Sequence, residues 1–166
     1  LGRALYAAGD LDGAREKYLQ AQRLYTGLHQ PMDAASAALH VAEIALAQAM
    51  PAKALEGLEA VLETSRHFSA GPVEAAALCG IGRARWLLRD SRRAIRALEQ
   101  AVELAETTLT HHAAVCGRAY LAEALWESEP KRARALLDEA KRLASARGLG
   151  VELEEVRGVA GRLTGA

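Results

Sequence analysis

The stretch Leu1-Gly2-Arg3-Ala4-Leu5-Tyr6-Ala7-Ala8-Gly9-Asp10-Leu11-Asp12-Gly13-Ala14 decides the fold of this chain. It indicates the end of one helix, a tight turn at Gly9-Asp10, and the start of a second, amphipathic helix at Leu11. The same pattern returns every forty residues along the 166-residue chain. Self-similarity at a fixed period of this length is typical of a solenoid built from stacked helical units.

Each copy of this unit keeps three packing positions. A small residue comes first, an alanine follows twelve residues later, and a large side chain follows four residues after that. The small residues are Gly2, Ala42, Gly82 and Ala122. The alanines are Ala14, Ala54, Ala94 and Ala133, and the large side chains are Tyr18, Leu58, Leu98 and Leu137. In the fourth copy the last two positions stand one residue earlier than the period requires.

The repeated unit predicts an all-α fold: a right-handed superhelical solenoid of antiparallel helix pairs, with about nine helices. We expect a single domain over residues 1–166. Its units are a truncated first repeat at 1–30, repeats at 31–70, 71–109 and 110–148, and a final helix at 151–163. Because the first copy begins inside a helix and the sequence has no initiator methionine, we expect a fragment of a longer protein.

Three local signals complete the expected helix boundaries. Ser91 is the predicted N-cap of one helix, since its hydroxyl can accept a hydrogen bond from a first-turn amide. Gly148 is the predicted left-handed C-cap of another. The segment 67–72, which contains Gly71-Pro72, predicts the longest loop of the chain.

Composition and charge exclude several classes of function. Lys and Arg number 21 and so do Asp and Glu, so no global positive field attracts nucleic acid or an anionic membrane. No apolar run approaches the roughly 20 residues that span a bilayer. Cys79 and Cys116 have no paired spacing, which favours a reducing compartment, and we expect a cytoplasmic protein. They are interpreted as buried free thiols, with a ligand role as the alternative.

Catalytic and cofactor motifs are missing from the sequence. It has no nucleophile elbow, no phosphate-binding glycine loop and no His-Glu-x-x-His pattern. Adjacent His111 and His112 diverge by roughly 100° on a helix and cannot readily share one ion. We therefore expect no enzymatic activity, no cofactor and no metal site.

The packing positions, together with Gly9-Asp10 at the first turn, resemble the tetratricopeptide repeat over essentially the whole chain. That family usually has a period of about 34 residues, whereas this chain has forty. The large aromatic usual near the start of the family's first helix is here Ala38 or Leu78. Longer repeats of this kind are similar to those in effector-sensing regions of large bacterial transcription regulators and in peptide-sensing scaffolds.

The resemblance implies a concave groove, lined by the first helix of each repeat, that holds a peptide or a protein segment. Forty-residue steps give the corresponding rows of side chains. A charged row contains Arg3, Glu43, Arg83 and Glu123. An aromatic row contains Tyr6, Trp86 and Trp126, with Leu46 between them, and His40 and Tyr120 lie one turn earlier. The Lys and Asn side chains with which some family members clamp a terminal carboxylate are not reproduced.

Each row has two interpretations. The alternating charges could pair between neighbouring helices and fix the repeat register, or they could hold a ligand's carboxylate or amide. The tryptophans could be binding hot spots, or they could pack against the neighbouring second helix. A basic edge formed by stacked turns could meet an acidic partner or be a solvated rim. Its residues are Arg89, Arg92, Arg93, Lys131 and Arg132.

Two hypotheses about function follow. In the first, the chain is a non-catalytic scaffold that binds a protein or peptide segment, as the sensor or interaction module of a multidomain bacterial transcription regulator. In the second, the repeats mediate self-association, or dock beside a catalytic or DNA-binding domain elsewhere in a longer protein. Neither hypothesis involves direct contact with nucleic acid or with a membrane.

Overall fold

The computed structural model describes residues 1–164, and over this range the chain folds into nine α-helices without a strand. The helices are α1 (Gly2–Ala7), α2 (Leu11–Gly27), α3 (Pro31–Ala47), α4 (Pro51–His67), α5 (Gly71–Leu87), α6 (Ser91–Thr107), α7 (His111–Leu125), α8 (Pro130–Arg147) and α9 (Gly150–Thr164). From α2 to α6 each helix has 17 residues. The predicted all-α solenoid of helix pairs is confirmed.

One turn geometry connects most of these helices. The residue two positions before the next helix has a positive φ, as in His29 (55°), Ala49 (57°) and Ser69 (53°). The following amide then donates back to a carbonyl five residues earlier, for example Met50 to Ala45 at 2.8 Å. This is the Schellman closure of a helix C-terminus. Because the turn has constant length, a new helix starts every twenty residues from Leu11 to His111.

The connection between α7 and α8 departs from this geometry. Trp126 keeps right-handed helical angles, and Glu129 donates to Leu125, four residues earlier, at 2.7 Å. No residue from 126 to 129 has a positive φ. Helix α7 has 15 residues and its connection to α8 has four, so helix and connection together are one residue shorter than in the preceding units. This explains why Ala133 and Leu137 stand one position early in the sequence.

Two local predictions are wrong and a third is confirmed. The side chain that caps α6 belongs to Asp90, which accepts from the amide of Arg93 at 3.3 Å, so Ser91 is not the N-cap but the first helical residue. Segment 67–72 is not a long loop, because α4 extends to His67 and the same short turn follows. Gly148 ends α8 in the left-handed conformation, with φ of 65°, as predicted.

Small residues set how closely the helices approach. All four repeat alanines are fully buried: Ala14, Ala54, Ala94 and Ala133. A Cβ built on Gly82 would lie 2.4 Å from Cγ of Leu98, the fully buried large residue of the same repeat. Gly2 stands in the same relation to Tyr18, at 2.9 Å from the ring. Because the glycine has no side chain, the large residue of the next helix packs directly against the backbone at that position.

The helices form two layers. Consecutive helices pack against each other throughout, and α3, α5, α7 and α9 also pack against one another. Even-numbered helices do not pack together in this way within residues 1–164. The odd-numbered helices are therefore the closer-spaced layer, which is the arrangement of a solenoid curved towards that side.

Ala49→Gly tests the left-handed turn. At φ 57° the Cβ atom of Ala49 lies too close to a backbone carbonyl oxygen. Glycine has no Cβ and avoids this clash. We expect the substitution to raise the free energy of unfolding by about 0.5–1 kcal/mol, after allowing for the greater freedom of glycine in the unfolded chain. Ala60→Gly, on the exposed face of α4, is the control and should lower it by about 1 kcal/mol. Equal losses in urea unfolding would contradict the turn geometry.

Gly82→Ala tests the close approach of α5 and α6. The added methyl group collides with Leu98, and its overpacking cost of about 1–3 kcal/mol should outweigh the gain in helix propensity. Gly57→Ala in α4 is the matched control, because there the new Cβ meets only Ala42 at an ordinary 3.7 Å. Thermal unfolding should show Gly82→Ala destabilised and Gly57→Ala stabilised. Stabilisation of both variants would show that the two helices are not in tight contact.

Candidate functional site

The charged row forms an ion-pair chain across the odd-numbered helices. Arg83 of α5 donates from Nη1 to Oε2 of Glu123 of α7 at 2.5 Å, and both side chains are largely buried. Arg162 of α9 reaches the same carboxylate with Nε and Nη2, each at 3.1 Å. One carboxylate thus accepts from two guanidinium groups on opposite neighbours, which ties three helices together.

Tyr120 lies beneath this chain. The guanidinium carbon of Arg83 stands 4.8 Å above the centre of its ring, within the range of a cation–π interaction. Burial raises the pKa of the Tyr120 phenol, and nearby Cys116 and Glu155 act in the same direction. The ring remains neutral at physiological pH and supports Arg83 from below.

Two histidines connect carboxylates of α3 and α9 through α7. His40 Nδ1 lies 2.8 Å from Oε2 of Glu43 in α3. His112 of α7 lies 2.9 Å from Glu152 of α9 through Nδ1 and 4.0 Å from Glu43 through Nε2. Burial acts to raise the pKa of Glu152, but hydrogen bonds from His112 and the backbone, with the charges of His112 and Arg3, hold it below its usual value. Side chains of α3, α7 and α9 therefore meet over α5, as expected for a strongly curved surface.

Two predicted groove residues lie at the α1 end without strong partners. Arg3 is exposed and forms no ion pair within 4 Å among residues 1–164, so the predicted pairing of Arg3 with Glu43 does not occur. Tyr6 is 40% exposed. Partial burial raises the pKa of Tyr6, and the charges of Glu43 and Glu155 add to the effect.

Trp86 and Trp126 line one cleft of about 540 Å³ at the turn end of the odd-numbered layer. Both are partly exposed. Glu123 and Arg162 line the cleft beside them, together with the apolar side chains of Ile95 and Leu163. Arg134 approaches the outer side, with its guanidinium carbon 5.7 Å from the Trp126 ring centre. The cleft combines two amphipathic rings with a fixed set of charges, which suits a short segment of peptide.

Residues of the predicted basic edge are all exposed, but two of them already have acidic partners. Arg132 donates to Glu99 at 2.7 Å and to Glu129 at 3.2 Å. Arg93 lies 3.5 Å from Asp90. Arg89, Arg92 and Lys131 have no ion pair within 4 Å among residues 1–164, so the charge of the edge is only partly balanced.

Cys79 and Cys116 are buried free thiols that share a small cluster with Leu78 and Ala101. Burial raises the pKa of Cys79 to about 12, so its reactive thiolate is strongly disfavoured. Burial likewise raises the pKa of Cys116. In the part of the chain that the structure describes, no three His, Cys, Asp or Glu side chains are grouped to hold a metal ion.

Sequence reasoning missed Arg162, His112, Glu152 and Glu155. Arg162 continues the charged row, 39 residues after Glu123, so the row alternates in sign through all five odd-numbered helices. The signal was the same one-residue shortening that displaces Ala133. The contact of His112 with Glu152 spans forty residues and so followed the repeat period. Its contact with Glu43 carried no such signal, because it joins α3 to α7 across the curve of the solenoid.

No helix in residues 1–164 is both long and apolar enough to cross a bilayer. No protein-family profile and no curated protein matches the chain. Among solved structures, it is similar to the TPR-like repeats of a protein from Podosopora anserina described as a kinesin light chain, and to a point variant of that protein. Both share 18% identity at a TM-score of 0.66; the alignments cover 98% and 100% of this chain, and 92% and 94% of the neighbours. The chain therefore has the fold of a TPR-like helical repeat.

Proposed function

We propose that this chain is a non-catalytic scaffold that binds a protein or peptide segment along the odd-numbered helices. The observation that carries the proposal is the cleft that contains both tryptophans of the chain. Partly exposed aromatic rings that line a cleft contribute large contact areas at a small cost in side-chain entropy. A segment placed in the cleft would also meet the polar edge formed by Glu123 and Arg162.

The ion-pair chain supports the same proposal as a positioning device. Arg83, Glu123 and Arg162 satisfy one another, so their main effect is on the spacing of α5, α7 and α9. That spacing determines how far apart Trp86 and Trp126 lie. Rigid placement of binding side chains lowers the entropy cost of complex formation.

We also propose the kind of larger protein to which this scaffold belongs. We infer a sensor or interaction module of a larger bacterial regulator, on the basis of the long repeats and of the charged and aromatic rows. An adjoining DNA-binding or nucleotide-binding domain in the full-length gene product would support this setting. An adjoining secretion signal would contradict it.

Substitution of the tryptophans tests the binding site. A display library of random peptides is panned on the immobilised protein, and a selected peptide is then titrated while the tryptophan emission is followed. Trp86→Ala and Trp126→Ala should each weaken binding by about 2 kcal/mol or more, as expected for hot spots. Leu24→Ala, at an exposed residue of α2, is the control and should leave the affinity unchanged. Full affinity in both tryptophan variants would refute the site.

Glu123→Gln tests the positioning role. The largely buried Arg83 and the more exposed Arg162 lose their shared anion, so we expect the free energy of unfolding to fall by about 1–3 kcal/mol. Glu154→Gln is the matched control, because Glu154 is exposed and pairs only with its neighbour Arg157 on the same helix. It should change stability by less than about 0.5 kcal/mol. Similar losses in chemical unfolding would mean that the ion-pair chain contributes no more than a surface pair.

Self-association is a second candidate, favoured by one observation. Leu1, Leu24 and Leu28 at the α1–α2 end are 83%, 66% and 64% exposed. Contact between two such ends would remove this apolar surface from water. Sedimentation across a concentration range tests this: Leu24→Glu combined with Leu28→Glu should abolish any dimer. A monomer at the highest concentration reached would exclude this candidate.

A further inference from the structure

The even-numbered helices leave gaps between them, and the gap between α4 and α6 has an unusual charge. It is a cleft of about 340 Å³ whose floor is formed by α5. The floor consists of buried aliphatic side chains, with Leu78 at 4% and Ile81 at 2% exposure. The cleft lies between helices of the even-numbered layer and shares no lining residue with the tryptophan cleft.

Four arginines and a single carboxylate line this gap. Arg66 comes from α4, Arg85 from α5, and Arg93 and Arg96 from α6, so guanidinium groups approach from both walls and from the floor. Glu59 of α4 is the only acidic residue among the described lining residues. Charges above a low-dielectric floor interact more strongly than charges on a flat, solvated surface.

The other gaps of the same layer provide an internal comparison. The gap between α2 and α4 is lined without a single Arg, Lys, Asp or Glu among its described residues. In the next gap along the chain, Arg118 of α7 binds Glu106 of α6 and Glu139 of α8, so acids on both walls neutralise the floor arginine. In the α4–α6 gap the floor arginine, Arg85, has an acidic partner on the α4 wall only, which is Glu59. The excess positive charge is therefore specific to this gap.

The existing partners of Arg85 and Arg93 are weak competitors for an incoming anion. Arg85 pairs with Glu59 at 3.0 Å, but the Glu59 side chain is 52% exposed. Arg93 meets Asp90 at 3.5 Å. Arg66 is the most firmly paired of the four, because it meets the 20% exposed Glu74 at 2.8 Å. Arg96 has no ion pair within 4 Å among residues 1–164. Exposed pairs of this type contribute about 0–1 kcal/mol each, so they can be exchanged at little cost.

We propose that the gap between α4 and α6 is a second binding surface, which takes an acidic segment of a protein partner. The carboxylates of this segment bind the guanidinium groups of Arg85 on the floor and of Arg93 and Arg96 on the α6 wall. Planar guanidinium groups recognise carboxylates through paired hydrogen bonds, which fixes the orientation of the segment. A segment of extended chain fits the gap, because its successive side chains point in opposite directions and can reach different sides of the gap.

The test uses fluorescence anisotropy with a short labelled peptide of alternating Glu and Asp. A peptide of the same length made of Gln and Asn is the reference. We expect the acidic peptide to bind and its affinity to fall as salt is added, whereas the neutral peptide does not bind. Absence of binding by the acidic peptide at low salt would overturn the proposal.

Variants with opposite expected effects make the test specific. Arg85→Gln combined with Arg96→Gln should weaken binding by about tenfold, which is about 1.4 kcal/mol. Glu59→Gln, which frees Arg85, should strengthen binding by roughly two- to fivefold. The charge-matched controls lie on α8 and α9. Arg142→Gln with Arg157→Gln is the control for the double arginine variant, and Glu154→Gln is the control for Glu59→Gln. Each control should change the affinity by less than a factor of about two.

Other outcomes have defined meanings. Equal effects in the gap variants and in their controls would show attraction by overall charge and would overturn the proposal. Binding of inorganic phosphate or of a short RNA that depends on Arg85 and Arg96, without binding of the acidic peptide, would also overturn it. Retention of acidic-peptide binding by Trp86→Ala would support a surface separate from the tryptophan cleft, and circular dichroism checks that every variant is folded.

Discussion

The structure depends on one constraint, the constant length of the left-handed turn. A 17-residue helix followed by a short Schellman closure advances the chain by twenty residues, and two such steps bring the backbone to an equivalent position. Residues forty apart then lie level with each other on neighbouring helices of the same layer. Five of these turns use a residue other than glycine despite the steric clash: His29, Ala49, Ser69, Arg89 and Leu109. The packing of the helices must therefore outweigh the strain at each turn.

The single exception to this constraint propagates to the far end of the chain. Because α7 and its connection to α8 together are one residue shorter than the preceding units, the equivalents of earlier positions in α8 and α9 stand at a separation of 39. Arg162 thereby takes the place that follows Glu123 in the charged row. The early end of α7 also puts Trp126, the last member of the aromatic row, at the C-cap of the helix rather than inside it.

The two layers offer different chemistry to a partner. In the odd-numbered layer the helices are close together, so charges from adjacent helices neutralise each other and the aromatic residues line the remaining space. In the even-numbered layer the helices are further apart, and each gap has the character of the side chains that happen to border it. The same repeat thus produces a paired, aromatic surface on one side and a separate arginine-rich cleft on the other.

The sequence by itself determined the local features. Periodicity gave the start of α2 at Leu11 and placed the final helix within one residue of α9 at each end. The spacing of Gly82, Ala94 and Leu98 reflects packing inside one repeat. Periodicity also placed Arg83 and Glu123 at equivalent positions, but it left open whether they pair or face a ligand. N-caps were less certain, because Asp90 and Ser91 are adjacent and both have capping side chains. Short-range hydrogen bonds and side-chain volumes depend on residues that are close together in the chain, so the sequence pattern reflects them directly.

Only the tertiary structure decided which side chains meet across several helices. His112 approaches both Glu43 and Glu152, and Trp86 shares a cleft with Trp126, because the odd-numbered layer curves. The arginines from α4, α5 and α6 surround one gap for a related reason, since the even-numbered helices do not close over it. The curvature is the sum of small rotations between successive repeats. No single position in the sequence encodes that sum, because it arises from all the helix contacts together.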